Sequence, residues 1–231
     1  MSTAQPDLTL LADKLQKTFF FQGMDGRLLE RLLPQARQGF YAPGAVIFLE
    51  GEATPGLYYV EQGWVKVIKL SPEGREQILY FWGAGDLFGG MTAFVSQLAP
   101  ATALALEPTT LWLLPHHAVQ QLLIDEPTLA LRVIEFMSQR LNELITLVAD
   151  LSLHSVTERL ARQLLDQATD DIVQRQRWAT QAEMAARLGT APDVVNRALR
   201  ALVEEGIIEL SRQQIRILDH AALEDRAAPP R

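Results

Sequence analysis

The sequence predicts an α+β chain built from an N-terminal antiparallel β-roll, a long coiled-coil dimerisation helix and a C-terminal winged helix-turn-helix. Three patterns carry that expectation. From Gly44 to Pro115, short β-prone runs are punctuated by glycine; from Pro127 to Leu153, apolar residues recur at alternating +3 and +4 spacing; beyond residue 155, two helix-start signals flank a glycine turn. Domains are therefore expected over residues 1–126, 127–154 and 155–231.

The first element expected is helical, residues 8 to 38, with Leu28, Leu29, Leu32 and Leu33 forming an amphipathic stripe. AVIFLE, LYYV, WVKVIKL, QILYFW, ATALAL and TLWLL then supply strands of a compact barrel or roll. SPEG at 71–74 suits a hairpin turn, because proline presets the second turn position and Gly74 accepts positive φ. Further on, Ile134, Met137, Leu141, Leu144, Val148 and Leu151 keep heptad positions a and d, a seam narrow enough for a two-helix coiled coil. The same spacing also serves a helix packed on its own domain; six consecutive matches favour the dimer.

Ser155 with Glu158 forms a capping-box pattern that starts a new helix straight after the seam and places a hinge near residues 153 to 155. Thr180 with Glu183 repeats the pattern, Gly189 ends the helix they open, and Pro192 suits the first position of the next. Helix, glycine turn, helix is the helix-turn-helix plan. IIELSRQQIRIL then offers two short strands around Ser211 to Gln213, a small wing, and the Ala-Ala-Pro-Pro-Arg tail is expected to be disordered.

Composition narrows the function. With 231 residues and 48% hydrophobic content the chain buries a sizeable core. It has no run of about 18 apolar residues, and MSTAQPDLTLLADKLQK lacks the basic start and apolar centre of a secretory signal, which predicts a soluble, cytoplasmic protein with no membrane partner. The absence of cysteine excludes disulfides, thiolate metal sites, cysteine-ligated iron–sulfur clusters and a cysteine nucleophile, and four histidines leave little for a metal cage. No nucleophile elbow or metal-hydrolase spacing occurs, so no enzyme is expected. GAGDLFGG lacks the Gly-Lys-Ser/Thr of a phosphate loop and reads as turns of the roll; His116 and His117 read as surface residues after a strand.

A net charge of −7 argues against a protein that coats DNA regardless of sequence. Local binding is another matter, since nine arginines balance nine acidic residues between Ser155 and Leu218. Within that region Val195, Ala198, Leu199, Leu202 and Val203 form the core-facing stripe of a helix, while Asp193, Asn196, Arg197 and Arg200 repeat the same spacing on another side. Those groups sit equally well in water or against bases and phosphates.

LYYVEQGWVKVIKLSPEGREQIL, GDLFGG and TQAEMAARLGTAPDVVNRALRALVEEGII, in that order around a seam helix, resemble the family of the cyclic-AMP receptor protein and the fumarate–nitrate reduction regulator over roughly residues 18 to 220. The resemblance implies a cyclic-nucleotide-binding-like roll in a bacterial transcription regulator, a homodimer on two-fold symmetric double-stranded DNA, working with RNA polymerase. It makes residues 192 to 200 a recognition helix whose base-contacting positions are Asp193, Asn196 and Arg197. Arg197 would fork onto guanine O6 and N7, Asp193 would accept from cytosine N4, and Asn196 would read adenine or a phosphate. Thr180, Gln181, Thr190, Arg200 and Arg212 would hold the backbone and set register. Ala191 and Pro192 depart from the serine and the basic or polar residue common in relatives, which weakens phosphate anchoring at the helix start.

The resemblance also locates an effector pocket, and there the departures are larger. Cyclic-nucleotide-binding relatives carry a Gly-Glu pair for ribose, an Arg-Ser pair for phosphate and polar seam-helix residues for the base. The aligned positions here are Gly89-Gly90, Pro100-Ala101 and Leu144-Ile145, with Thr102 nearby. A cyclic phosphate would lose its bidentate arginine and be poorly repaid for desolvation, so no tight cyclic-AMP or cyclic-GMP binding is expected. Two readings stay open: an apolar site for another ligand such as haem or a hydrophobic metabolite, or a filled pocket in a regulator controlled by its abundance. Haem would need His116, His117, His154, His220, a methionine or the N-terminus as axial ligand. A rival function is a small-molecule-binding regulatory protein that has lost DNA binding.

Overall fold

The computed structural model describes residues 8–90, 98–176, 178–211 and 213–228. Its internal contacts divide the chain into two units, residues 1–69 with 79–141, and residues 70–78 with 142–231. The first unit opens with α1 (Leu8–Leu15), α2 (Gly26–Leu32) and a 3-10 turn (Leu33–Gln35). Strands β1 (Arg37–Tyr41), β2 (Val46–Phe48), β3 (Gly56–Gln62), β4 (Val65–Leu70), β5 (Glu76–Trp82), β6 (Leu87–Phe88), β7 (Thr102–Ala105) and β8 (Thr109–Pro115) follow, and α3 (His116–Asp125) closes the roll. The strands form two four-stranded sheets, ordered β1-β8-β3-β6 and β2-β7-β4-β5.

The helical stretch expected over 8–38 is interrupted. Gly23 takes φ +70, Asp25 caps α2 by accepting the Arg27 N–H at 3.0 Å, and Arg37 already pairs with Leu113 of β8. Burial explains the break: Leu11, Leu15, Phe20, Phe21, Leu29 and Leu32 all enter one cluster with the outer face of the β3–β8 ladder. A straight helix would spread them around its circumference, whereas folding back buries them together.

β3 is buried along five consecutive residues because both of its faces are covered. Leu57 and Tyr59, with Trp112 and Leu114 of β8, face the helices. Tyr58, Val60 and Leu111 face the opposite way and pack with Phe48, Val65, Trp82, Phe88 and Ala103 inside the roll. Glu61 ties α1 to this frame: its carboxylate accepts from Lys14 Nζ at 2.6 Å, Gln38 Nε2 at 2.6 Å and Trp112 Nε1 at 2.8 Å. The SPEG turn forms as its sequence demands, with Gly74 at φ +79 donating to the Ser71 carbonyl at 2.9 Å.

Helix α4 spans Pro127–Leu153, with the limits its periodicity predicts. The second unit then contains α5 (Val156–Gln167), β9 (Ile172–Gln174), α6 (Gln181–Leu188), α7 (Pro192–Glu204), β10 (Ile208–Leu210), β11 (Gln214–Ile217) and α8 (His220–Ala227). The capping box of α5 is reciprocal: Ser155 Oγ accepts the Glu158 N–H, and Glu158 accepts the Ser155 N–H at 2.8 Å. Leu160, Leu164, Val195, Leu199, Leu202, Ile208, Ile215 and Leu223 form the core.

Two elements here lack a strong local signal. β9 is three residues long and joins the wing as the third strand of a β10-β11-β9 sheet. α8 starts where Asp219 accepts the Ala222 N–H at 2.9 Å, and it survives because Leu223 and Ala227 are buried on the core. The expected disordered tail therefore begins too early, since Ala227 is the last residue of a packed helix; residues 229–231 lie outside the described residues.

Candidate nucleic-acid interface and effector pocket

The interface is built on the turn between α6 and α7. Thr180 is exposed and caps α6, its hydroxyl oxygen accepting the Glu183 N–H at 3.2 Å. Gly189 ends α6 in the left-handed conformation at φ +63. The left-handed backbone is what calls for glycine there; a Cβ would also meet Leu151 Cδ2 at 2.5 Å, the end of a side chain that would have to move aside. Pro192 then occupies the first turn of α7, and Ala191 supplies no side-chain cap.

Helix α7 separates its residues cleanly. Val195, Ala198, Leu199 and Leu202 are buried, Asp193, Arg197 and Arg200 are exposed, and Asn196 is half-exposed. Among the described residues neither arginine forms an ion pair. Both guanidinium groups are thus exposed and, among the described residues, not held in an ion pair, available to phosphate or to a guanine edge. Gln181 is exposed at the start of α6 and Thr190 is half-buried in the turn. Arg212 lies outside the described residues. The wing presents another cation that the sequence reading passes over: Arg216 is exposed, opposite Glu209 in the β10–β11 register. Its signal is the alternation of buried Ile215 and Ile217 around it.

Along α4, Leu131, Ile134, Leu141, Ile145 and Val148 are exposed on the single chain, Ile134, Leu141 and Val148 by 61%, 59% and 62%. Met137, Leu144 and Leu151 of the expected seam are half-buried by their own chain.

The residues assigned to the effector pocket divide between the units. In the first, Gly89 takes φ +81 with the Gly56 carbonyl oxygen 3.1 Å from where a Cβ would stand, Gly90 and Ala101 are buried, and Pro100 accepts from Lys69 Nζ at 3.0 Å. Thr102 is buried, and its Oγ1 accepts the Glu50 N–H at 3.0 Å. Tyr58 stacks on Phe88 at 5.1 Å between ring centroids, and Phe48 lies 5.9 Å from Tyr58. Burial holds the Tyr58 hydroxyl well above its usual range, with the nearby Tyr41 adding to the effect. Arg140 spreads over Phe136, Trp82 and Tyr80 at 5.0, 5.2 and 5.7 Å from their centroids. In the second unit, Leu144 is half-buried and Ile145 exposed.

His116 is half-buried at the start of α3, not on the open surface as expected, and the other three histidines have polar neighbours. His117 meets Gln35 at 2.7 Å, His220 meets Asp171 at 2.9 Å, and His154 lies 3.5 Å from Glu158 and 3.8 Å from Asp150. No helix among the described residues is long and apolar enough to cross a membrane.

Two family models match the chain: a cyclic nucleotide-binding domain over residues 38–126 and a Crp-like helix-turn-helix domain over residues 158–226. The CRP-like cAMP-activated global transcriptional regulator of Mycobacterium tuberculosis is 27% identical over 226 residues, covering 92% of this chain and 98% of that protein. The cyclic AMP receptor protein of Thermus thermophilus is 29% identical over 210 residues, covering 90% and 95%. Among solved structures, FixK2 of Bradyrhizobium japonicum superposes with a TM-score of 0.75 at 23% identity, over 85% of this chain and 99% of that one, a likeness of fold.

Proposed function

The chain belongs to the CRP/FNR family of DNA-binding transcription regulators, and from that premise we propose that it acts as a homodimer on a two-fold symmetric site, switched by an effector other than cyclic AMP. The observation that carries the proposal is the exposed face of α7, where Arg197 and Arg200, in no ion pair among the described residues, stand beside Asp193 and Asn196. In this reading Arg197, Asn196 and Asp193 read base edges, and Thr180, Gln181, Thr190, Arg200 and Arg212 hold phosphates. The exposed stripe of α4 supports the dimer: Ile134, Leu141 and Val148 belong both to the expected seam and to the exposed set, and Ile145 joins them. Two copies joined there would carry their α7 helices to successive major grooves about 34 Å apart. Residues 1–126 sense, 127–154 join and 155–231 bind DNA, with RNA polymerase as the downstream partner.

The relatives above are named for cyclic AMP, but the positions that would hold a cyclic nucleotide here are Gly89, Gly90, Pro100 and Ala101. The Thr102 hydroxyl already accepts a backbone N–H, and the roll interior is occupied by stacked rings. A cyclic phosphate would meet no guanidinium from these positions, so its desolvation is poorly offset. Selection from a random DNA library followed by salt-dependent shift assays tests the DNA reading: a symmetric consensus is expected, and equal weak binding to every duplex would favour a ligand-binding regulator that has lost DNA recognition. Titration calorimetry with cyclic AMP should show no micromolar binding. An absorption spectrum after adding haem decides whether an apolar ligand of that class enters the roll.

A further inference from the structure

Where the seam helix ends, two arginines of the following helix hold it. Arg159 Nη1 donates to the His154 carbonyl at 2.6 Å and, at 3.3 Å, to the Asp150 carbonyl, which also accepts the His154 N–H at 3.2 Å. One turn further along α5, Arg162 reaches three groups at once. Its Nη1 meets Asp150 Oδ1 at 2.5 Å, its Nη2 meets His154 Nδ1 at 3.3 Å, and its Nε donates to the Ala227 carbonyl at 2.9 Å. Asp150 lies in the last turn of α4, His154 directly follows that helix, Arg162 is on α5, and Ala227 is the final residue of α8. The Arg162 and Asp150 side chains are only 28% and 26% exposed, so water screens the pair less than it would at an open surface.

We propose that Arg162 is a positioning residue for DNA recognition: by bridging Asp150 and the end of α8, it fixes the angle at which each DNA-binding domain leaves the seam helix. A planar guanidinium suits this task because its donors point in fixed directions, and a lysine could not grip the three acceptors in one geometry. The only covalent link at this point is the short connection through His154 and Ser155, which by itself leaves the domain free to swing. Holding that angle matters because a dimer gains its second half-site at an effective concentration set by geometry, and a loose arm dilutes it. Arg162 thus acts on the paired engagement and leaves the chemistry of base contact to α7.

The inference rests on the homodimer reading above, and the test separates the two. Affinity is measured for a duplex carrying the selected palindrome, for the same duplex with one half-site scrambled, and for palindromes with one or two base pairs inserted at the centre. Wild-type protein should favour the intact palindrome and lose that preference sharply on insertion. Arg162→Ala and Asp150→Ala should keep half-site affinity within about twofold, weaken the intact palindrome roughly tenfold or more, and flatten the dependence on spacing. Arg162→Lys should lie between. The exchanged pair, Asp150→Arg with Arg162→Asp, should recover part of the spacing preference. Unchanged palindrome affinity and spacing dependence in both alanine variants would overturn the proposal, as would an equal loss on half-site and palindrome, which marks a folding role alone. A wild-type protein that binds the palindrome no tighter than the half-site would overturn the dimer reading itself, before any variant is made.

Discussion

The interior of the roll and the outer face of α7 treat polar groups in opposite ways. In the roll, the positions proposed for an effector are glycine, proline and alanine, and the threonine beside them is committed to a backbone N–H. On α7, the polar positions carry exposed or half-exposed side chains, and among the described residues neither arginine is held in an ion pair. Both surfaces rest on well-buried apolar frames, the roll on Phe48, Tyr58 and Phe88 and the helix on Val195, Leu199 and Leu202. Packing therefore preserves the fold at both ends and does not say which end keeps its chemistry. The side chains projecting from the frame decide that, and on the proposed reading they favour DNA contact over nucleotide sensing.

The most drastic way to break this comparison is to uncouple the DNA-binding faces from each other. Leu141→Glu with Val148→Glu would bury unpaired carboxylates between two chains at a cost on the order of several kcal/mol. Sedimentation should show monomers, and palindrome affinity should collapse to the half-site value. An unchanged dimer would remove the seam from the account. Next in size, Leu202→Ala leaves a void in the core beneath α7 and should destabilise the second unit by about 2–5 kcal/mol. Hydrogen exchange should speed in α5 to α8 far more than in the roll strands. Equal acceleration in both regions would mean that the two frames are not separately held.

Arg197→Ala sharpens the comparison at the level of one side chain. It should cost about 1–3 kcal/mol on the selected site and relax the preference at one base pair. Arg200→Ala should instead weaken binding to all sequences alike and lower the salt slope by about 1. The same shift assays over a salt series distinguish the two, and reversed behaviour would exchange their assignments. The smallest expected effect lies back in the roll. Burial pushes the Glu61 carboxyl up, but hydrogen bonds from Lys14, Gln38 and Trp112 outweigh it and hold the group below the usual carboxylate range. Folding stability from this group is therefore present above the ordinary glutamate pKa and is lost as pH falls through the depressed folded value. Glu61→Gln should flatten the acid limb of the stability curve below about pH 4.5. Tryptophan fluorescence during acid titration reports it, and an unaltered acid limb would show that the three donors contribute nothing net.

Signals confined to a few neighbouring residues were legible in the sequence. The limits of α4, the Ser155–Glu158 capping box, the Thr180 cap, the left-handed Gly189, the proline start of α7 and its two faces all follow from hydrogen bonds and periodicities within one or two turns. Such terms operate before any distant part of the chain arrives. Tertiary contact alone decided the break between α1 and α2, the pairing of β1 with β8, the recruitment of β9 to the wing and the persistence of α8. It also decided that Met137, Leu144 and Leu151 turn partly inward while Ile145 faces out, which heptad spacing cannot separate because neighbouring stripes on one helix lie within a side chain's width. Glu61 with Trp112 and Arg162 with Ala227 join residues 51 and 65 positions apart. No local pattern announces such pairs, because their energy exists only once the folded chain has brought the donor and acceptor together out of water.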